Sequence, residues 1–339
     1  MAEATSSPRR STVRKLTGVK ILSTGSYVPD VIVRNEDLAS LGFDADWILQ
    51  RTGIEQRRHA PPEMATSDLA AEAGRRCLES AGVDPADVDL LIVGTFTPDV
   101  LCPATAPFVQ DRLKLACPAF DVQAACAGFV YSLVTGMQYV ASGNSRLALV
   151  IGADTNSRIV NPKDKKTYPL FGDGAGAVLL APGGPRQGLL AYTLGTDGSG
   201  AELLYRRMGG SREPTTCKGL EKNLQFLSME GRPVFKWAIR LIHDTIHDVL
   251  AASNMTIDEV DFLVLHQANM RIIDAAAGDL GIPREKVLAN VERYGNTSAA
   301  SIPLVLDEAL RDGRIKPGSR IALCGFGAGL AWGTAVLQW

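Results

Sequence analysis

The sequence predicts an α/β protein with mixed, mostly parallel sheets, built from two similar halves, on three observations. Short apolar runs alternate with segments of helical periodicity along the chain, the pattern of strands connected by helices. Leu78-Glu-Ser-Ala-Gly-Val-Asp-Pro-Ala-Asp-Val-Asp-Leu-Leu-Ile-Val is echoed by Leu250-Ala-Ala-Ser-Asn-Met-Thr-Ile-Asp-Glu-Val-Asp-Phe-Leu-Val-Leu, each a helix end, a turn and a strand. Several apolar runs also end in residues of chemical interest, and the carboxyl end of a strand is where ligands and catalytic groups gather in open α/β sheets.

The elements follow in chain order. Gly18-Val-Lys-Ile-Leu-Ser-Thr-Gly reads as a first strand and pairs in pattern with Gly188-Leu-Leu-Ala-Tyr-Thr-Leu-Gly. In Phe120-Asp-Val-Gln-Ala-Ala-Cys-Ala-Gly-Phe-Val an extended apolar segment ends at Cys126 and a helix begins. Val130, Leu133, Val134, Met137 and Val140 then recur at helical spacing until Ser142-Gly143, which places Cys126 in the first turn of a buried helix. There the free N–H groups and the positive dipole end are expected to lower a thiol pKa that is roughly 8.5 in free cysteine. Leu147-Ala-Leu-Val-Ile-Gly-Ala is a strand matched by Arg320-Ile-Ala-Leu-Cys-Gly-Phe, and Ala177-Val-Leu-Leu is another. Val264-Leu-His-Gln-Ala-Asn carries His266 at the end of an apolar run, and Tyr294-Gly-Asn-Thr-Ser-Ala-Ala carries Asn296 where a helix begins. Histidine and asparagine can both donate hydrogen bonds to one carbonyl oxygen and so stabilise an enolate beside a thioester. Cys126, His266 and Asn296 form one candidate site.

Two patterns suggest other chemistry and carry less. His243 and His247 share a helix face at a spacing compatible with zinc, yet no glutamate follows His243 and the segment reads as an amphipathic helix; no metal site is expected. Gly172-Asp-Gly-Ala-Gly lacks the spacing of a nucleotide loop and runs into a strand, so close packing explains it better.

The chain has 339 residues and a formal net charge of −2, which leaves no electrostatic footprint for nucleic acid. No uninterrupted apolar run approaches the roughly 18 residues of a membrane helix. The six cysteines show neither paired zinc spacing nor a secretory context, and read as reduced thiols of a cytoplasmic protein. Residues 1–18 are expected to be a flexible tail, residues 19–185 a half carrying the nucleophile, and residues 186–339 a half carrying the histidine and asparagine.

Four strings carry a resemblance: Ala124-Ala-Cys-Ala-Gly-Phe, His266-Gln-Ala-Asn-Met-Arg, Gly295-Asn-Thr-Ser-Ala-Ala-Ser-Ile-Pro and Gly325-Phe-Gly-Ala-Gly-Leu. With Trp47-Ile-Leu-Gln-Arg-Thr-Gly-Ile and Phe171-Gly-Asp-Gly-Ala-Gly-Ala, they resemble the β-ketoacyl-acyl carrier protein synthase III family in order and spacing from about Val19 to Trp339. The resemblance implies the thiolase fold, two pseudo-symmetric halves with five-stranded sheets stacked as α-β-α-β-α layers. It implies decarboxylative condensation of an acyl-CoA primer with malonyl-acyl carrier protein through an acyl-cysteine, starting type II fatty-acid synthesis, with no cofactor.

It also implies residue roles. The N–H groups of Cys126 and Ala328 would form an oxyanion hole, and Phe326 would wall the malonyl carboxylate. Trp47, Arg51, Thr52 and Lys165 would meet the CoA nucleotide, while Met229, Gly231, Phe235, Ala268 and Asn269 would line the pantetheine tunnel. Arg271 and Lys236 would dock the acidic carrier protein, because Gly278 and Asp279 stand where related enzymes can carry paired lysines. In a homodimer, Cys102 would cross to the partner's acyl pocket, and its small side chain hints at primers longer than acetyl. A thiolase would need a second active-site cysteine and elongating synthases a second histidine, so Asn296 argues against both. The competing reading is a synthase III-like acyltransferase or starter condensing enzyme of a polyketide pathway.

Overall fold

The computed structural model describes residues 11–339. Along the first part of the chain come β1 (Arg14–Thr17), β2 (Val19–Tyr27) and β3 (Ile32–Arg34), then α1 (Ala45–Thr52), β4 (Gln56–Arg58) and α2 (Thr66–Ala81). β5 (Leu90–Gly94), α3 (Thr105–Leu113), β6 (Ala119–Val122), α4 (Gly128–Ala141), β7 (Ala148–Thr155) and β8 (Asp173–Pro182) follow. The second part holds β9 (Gly188–Thr196), β10 (Leu204–Arg206), α5 (Cys217–Glu221), β11 (Leu227–Met229), α6 (Gly231–Ala252) and β12 (Phe262–Leu265). It ends with α7 (Met270–Asp279), β13 (Val287–Leu288), α8 (Val291–Tyr294), α9 (Ser301–Arg311), β14 (Arg320–Gly327) and β15 (Ala331–Gln338).

Two sheets organise these elements. The first has five strands in the order β2-β8-β7-β5-β6, and the second six in the order β1-β9-β15-β14-β12-β13. Both are mixed, but not mostly parallel as the sequence suggested. β5 is parallel to β6 and β7, and β12 to β13 and β14, while β7–β8, β2–β8, β14–β15, β15–β9 and β1–β9 are antiparallel. β14 and β15 are joined by residues 328–330 alone, and a connection that short can only reverse direction.

β1 corrects the expected tail. Arg14–Thr17 pair with β9, so the chain is anchored in the second sheet before residue 18; the rest of that expectation, residues 1–10, lies outside the described residues. This added strand makes the second sheet six-stranded rather than five.

Helices fill three layers around the sheets. α4, through Phe129, Val130, Leu133, Val134 and Met137, and α9, through Ile302, Val305 and Leu306, share one core with Val150 and Val178 of the first sheet and Leu323 and Ala335 of the second. α2 and α3 cover the other face of the first sheet on Leu149, Ile151 and Leu179. α6 and α7 cover the outer face of the second on Leu263, Leu265 and Val336. Successive side chains of β7 thus enter different cores, which is why its sequence is apolar throughout instead of alternating. Among the described residues, no helix is long and apolar enough to cross a membrane.

Candidate active site

Cys126 lies in a 3-10 turn, Ala125–Ala127, that runs directly into α4. Ala125 has φ +46°, a left-handed conformation that a residue with a Cβ adopts at a cost and that is often found at functional sites. The turn swings the thiol toward the second half of the chain. The glycine-rich end of β14 closes over it: a Cβ built on Gly327 would stand 2.8 Å from Cys126 Cβ and 3.2 Å from Sγ. Gly327 was not singled out from the sequence, although the glycine-rich string was; the contact requires the two halves to face one another.

The segment 296–301 joins the remaining parts. The Ser298 hydroxyl donates to Cys126 Sγ at 3.3 Å, and the Ser298 N–H donates to Asn296 Oδ1 at 2.9 Å. With that oxygen occupied, the Asn296 amide can present its NH2 group. Ser301 Oγ lies 2.8 Å from His266 Nδ1. The imidazole in turn packs edge-to-face on Phe326, with centroids 5.2 Å apart, and Phe326 meets Trp237 at 6.4 Å. Cys126, His266, Asn296 and Phe326 are therefore brought together, while Ala328, half-buried, follows Gly327 in the turn after β14.

The electrostatics depart from the sequence expectation. Burial pushes the Cys126 thiol up to about 12, with the Asp154 carboxylate adding to the rise and the Ser298 hydroxyl and the backbone N–H of Cys126 opposing it. A helix start does not outweigh removal of the sulfur from water, so burial raises the thiol's pKa instead of lowering it. Burial pushes His266 down to about 3, so its ring is neutral at physiological pH. A neutral imidazole held at Nδ1 has its Nε2 available to donate or accept, according to its tautomer.

The residues that the resemblance assigns to CoA lie on α1, β11, α6, the start of α7 and the loop before β8. Trp47 is 45% exposed in the first turn of α1, capped by the Asp44 side chain, and the Arg51 guanidinium sits 5.9 Å from its ring centroid. Gly53, just after α1, packs against Met270 at the start of α7, close enough that a Cβ would reach Met270 Cβ at 2.4 Å. Asn269 caps α7 by accepting from Ile272 N–H, and Ala268 precedes it. Met229 ends β11, Gly231 opens α6, and Phe235 lies one turn further along α6 with the Arg271 guanidinium 6.0 Å from its centroid. Lys165 is exposed on a loop whose Tyr168 stacks on Phe43 just ahead of α1. Lys236 is exposed on α6, and Cys102 is exposed beside Leu101, which is 86% exposed.

Thr52 is a correction. It is 5% exposed, and its hydroxyl donates to Ile48 O at 2.6 Å and accepts from Ile54 N–H at 3.0 Å, so it closes the end of α1 rather than facing a ligand. The His243 and His247 rings lie 4.5 Å apart, tilted by 60°, with His243 Nδ1 2.8 Å from Asp279 Oδ2. Among the described residues, no group of three or more His, Cys, Asp or Glu side chains is arranged to hold a metal ion.

Comparison with known proteins agrees with this architecture. Residues 120–198 match the family described as 3-oxoacyl-[acyl-carrier-protein] synthase III, and residues 250–339 match its C-terminal part. The β-ketoacyl-[acyl-carrier-protein] synthase III of Rhodopirellula baltica is 55% identical, covering 96% of this chain and 99% of its own. That of Natranaerobius thermophilus is 46% identical over 96% and 100%. The crystal structure of 3-oxoacyl-(acyl carrier protein) synthase III from Pseudomonas aeruginosa superposes with a TM-score of 0.87 at 39% identity, covering 95% of this chain and 98% of that one. The priming β-ketosynthase of the R1128 polyketide pathway gives 0.88 at 33% identity over 99% and 98%. With identity of this order along nearly the whole chain, on a matching fold, the protein belongs to the β-ketoacyl-acyl carrier protein synthase III family, the condensing acyltransferases that start fatty-acid synthesis.

Proposed function

We propose that the two halves of the chain, meeting near residues 185 and 186, divide the reaction between a nucleophile from the first and an enolate-stabilising pair from the second. The observation that carries this reading is the hydrogen-bonded path from Cys126 Sγ through Ser298 to Asn296, which joins both halves at the thiol. Cys126 attacks the thioester of an acyl-CoA, the N–H groups of Cys126 and Ala328 hold the oxyanion, and CoA leaves as the thiol. Malonyl-acyl carrier protein then enters, and His266 and Asn296 donate to its thioester oxygen as CO2 departs. The resulting carbanion attacks the acyl-cysteine and releases the thiolate. Phe326, packed on the His266 ring, offers the malonyl carboxylate an apolar wall that withholds solvation from its charge. Neither half-reaction transfers electrons, and no step calls on a redox cofactor or a metal.

Offering a panel of acyl-CoAs with malonyl-acyl carrier protein, with products identified by mass, tests this function. 3-Ketoacyl products are expected, with primers extending beyond acetyl because Cys102 is small. Release of CoA and CO2 without a ketoacyl product would remove the condensation.

Trp47 and Arg51 stack on and pair with the CoA nucleotide beside Lys165, and the pantetheine arm passes Met229, Gly231, Phe235, Ala268 and Asn269. Trp47→Ala should raise KM for acyl-CoA by about tenfold while changing kcat less than about twofold, since adenine stacking lies far from the reacting bond and acts as uniform binding. Initial-rate kinetics decide this, and a fall in kcat at unchanged KM would take Trp47 out of the nucleotide site.

The carrier protein docks on Arg271 and Lys236; Lys236 lines a groove along α6, and the Arg271 guanidinium sits over Phe235, which lines it too. The protein works as a homodimer. β6 is the edge strand of its sheet, with Phe120 6.3 Å from Tyr139, so a second copy can extend the sheet there while the loop bearing Leu101 and Cys102 reaches into its pocket. The cytoplasm is the proposed location, in keeping with six free thiols.

A further inference from the structure

Asp154, near the end of β7, is fully buried and takes no part in the chemistry above. Its Oδ1 accepts from the hydroxyls of Thr95 and Thr97 at 2.9 and 2.8 Å and from the N–H groups of Phe96 and Thr97 at 3.0 and 3.2 Å. Its Oδ2 accepts from the Ala299 N–H at 3.0 Å. The first set lies in the loop after β5, in the first half of the chain; Ala299 lies in the segment that carries Asn296 and Ser298, in the second.

That segment needs an external hold. Ser298 has φ +52°, a left-handed conformation that a serine does not adopt cheaply. The backbone of residue 299 is pressed so closely onto β7 that a Cβ on Gly152 would come within 2.3 Å of Ala299 O. The Asp154 side chain reaches it there through the Ala299 N–H. Burial pushes this carboxyl up to about 6, while the Phe96 and Ala299 N–H groups and the Thr97 and Ser298 hydroxyls pull it back; the donors that meet both of its oxygens favour the carboxylate form.

We propose that Asp154 is a positioning residue for the condensation: its two oxygens clamp the loop after β5 to the turn bearing Asn296 and Ser298, holding the asparagine amide and the hydroxyl partner of Cys126 over one pocket. The role requires a carboxylate, because donors meet both oxygens. An asparagine would turn an NH2 group toward one set of N–H donors and release either the loop or the turn. The inference rests on the roles of Cys126 and Asn296 given above.

The test compares Asp154→Asn with the wild-type protein in full-length form, for condensation kinetics, acylation by intact mass, thermal melting and alkylation by iodoacetamide at pH 8. Condensation kcat should fall by about 10²-fold, as expected when one oxyanion donor is misplaced, while KM for acyl-CoA stays within about threefold. Alkylation of Cys126 should speed up by roughly three- to tenfold, because a negative charge near the sulfur has gone. A residue that served only to hold the fold would not produce a fall in kcat at a held KM with the melting temperature kept.

Thr95→Val removes one donor to Oδ1 and keeps the charge. It should lower kcat by about threefold at unchanged KM, and it decides the matter if the asparagine variant does not fold. Condensation by Asp154→Asn within about threefold of wild type, a parallel loss of melting temperature and both half-reactions without faster alkylation, or a wild-type rate in Thr95→Val beside an unfolded Asp154→Asn would each overturn the clamp. A wild-type protein that acylates but forms no ketoacyl product would overturn the proposed function and this inference with it.

Discussion

His266→Ala should lose condensation by about 10²- to 10³-fold while its Cys126 is still acylated by acyl-CoA. The magnitude is that of removing one of two oxyanion donors. The selectivity follows from the geometry: among the described residues the hydrogen bond to Sγ comes from Ser298, whereas the imidazole is engaged at Nδ1 by Ser301 and faces Phe326. Cys126→Ala should show the converse, no acyl-enzyme but measurable decarboxylation of malonyl-acyl carrier protein. Asn296→Ala should resemble the histidine variant, and the double variant should lose less than the sum if both donors serve one oxygen.

The thiol being pushed up to about 12, acylation draws on a minority of thiolate. That fraction grows about tenfold per pH unit below the pKa, so the acylation rate of both proteins should climb from pH 7 to 9 without a plateau. The intact mass of His266→Ala after exposure to acyl-CoA is the deciding measurement. An unmodified mass would make His266 the base that activates the thiol.

Gly327→Ala should abolish most acylation, by about 10²-fold or more, for a steric reason. The backbone at Gly327 has φ 178°, an extended conformation open to any residue, so the substitution brings no conformational strain of its own. The added methyl carbon would instead lie 2.8 Å from Cys126 Cβ and 3.0 Å from its backbone nitrogen. Overpacking of this kind costs about 1–3 kcal/mol, and relief requires either the thiol or the turn at residues 327–329 to move. Both movements separate the N–H groups of Cys126 and Ala328, and a shift of about 1 Å in a reacting group can cost about 10²-fold.

Gly278→Ala provides the control. A Cβ there meets open space on α7, so activity should be retained, with a gain of about 0.5–1 kcal/mol in stability from helix propensity. The burst of CoA released on mixing with acyl-CoA reads out both variants. A wild-type burst from Gly327→Ala would mean that the turn does not form the oxyanion hole.

Much of this protein was legible before folding was considered. The duplicated strand and helix patterns, the buried helix after Cys126 and the placement of Cys126 and His266 at strand ends are local properties of the chain. Periodicity and turn chemistry are written in neighbouring residues, and the resemblance supplied the roles of Phe326 and Ala328 in the same local strings. A cue to Asp154 was present too, since it stands at the end of an apolar strand as Cys126 and His266 do. Nothing nearby in sequence, however, shows that its oxygens meet Thr95, Thr97 and Ala299.

Tertiary structure alone decided the rest. β1 joins the second sheet by pairing Arg14 with Tyr192, and that pairing depends on which edge of β9 remains open once β15 has taken the other. Thr52 turned inward because its hydroxyl caps α1, although its neighbour Arg51 lies on the surface. The thiol of Cys126 rose rather than fell because its ionisation is set by the whole surrounding shell. Desolvation sums over every atom that replaces water, from both halves of the chain, and that sum exists only when the halves are packed.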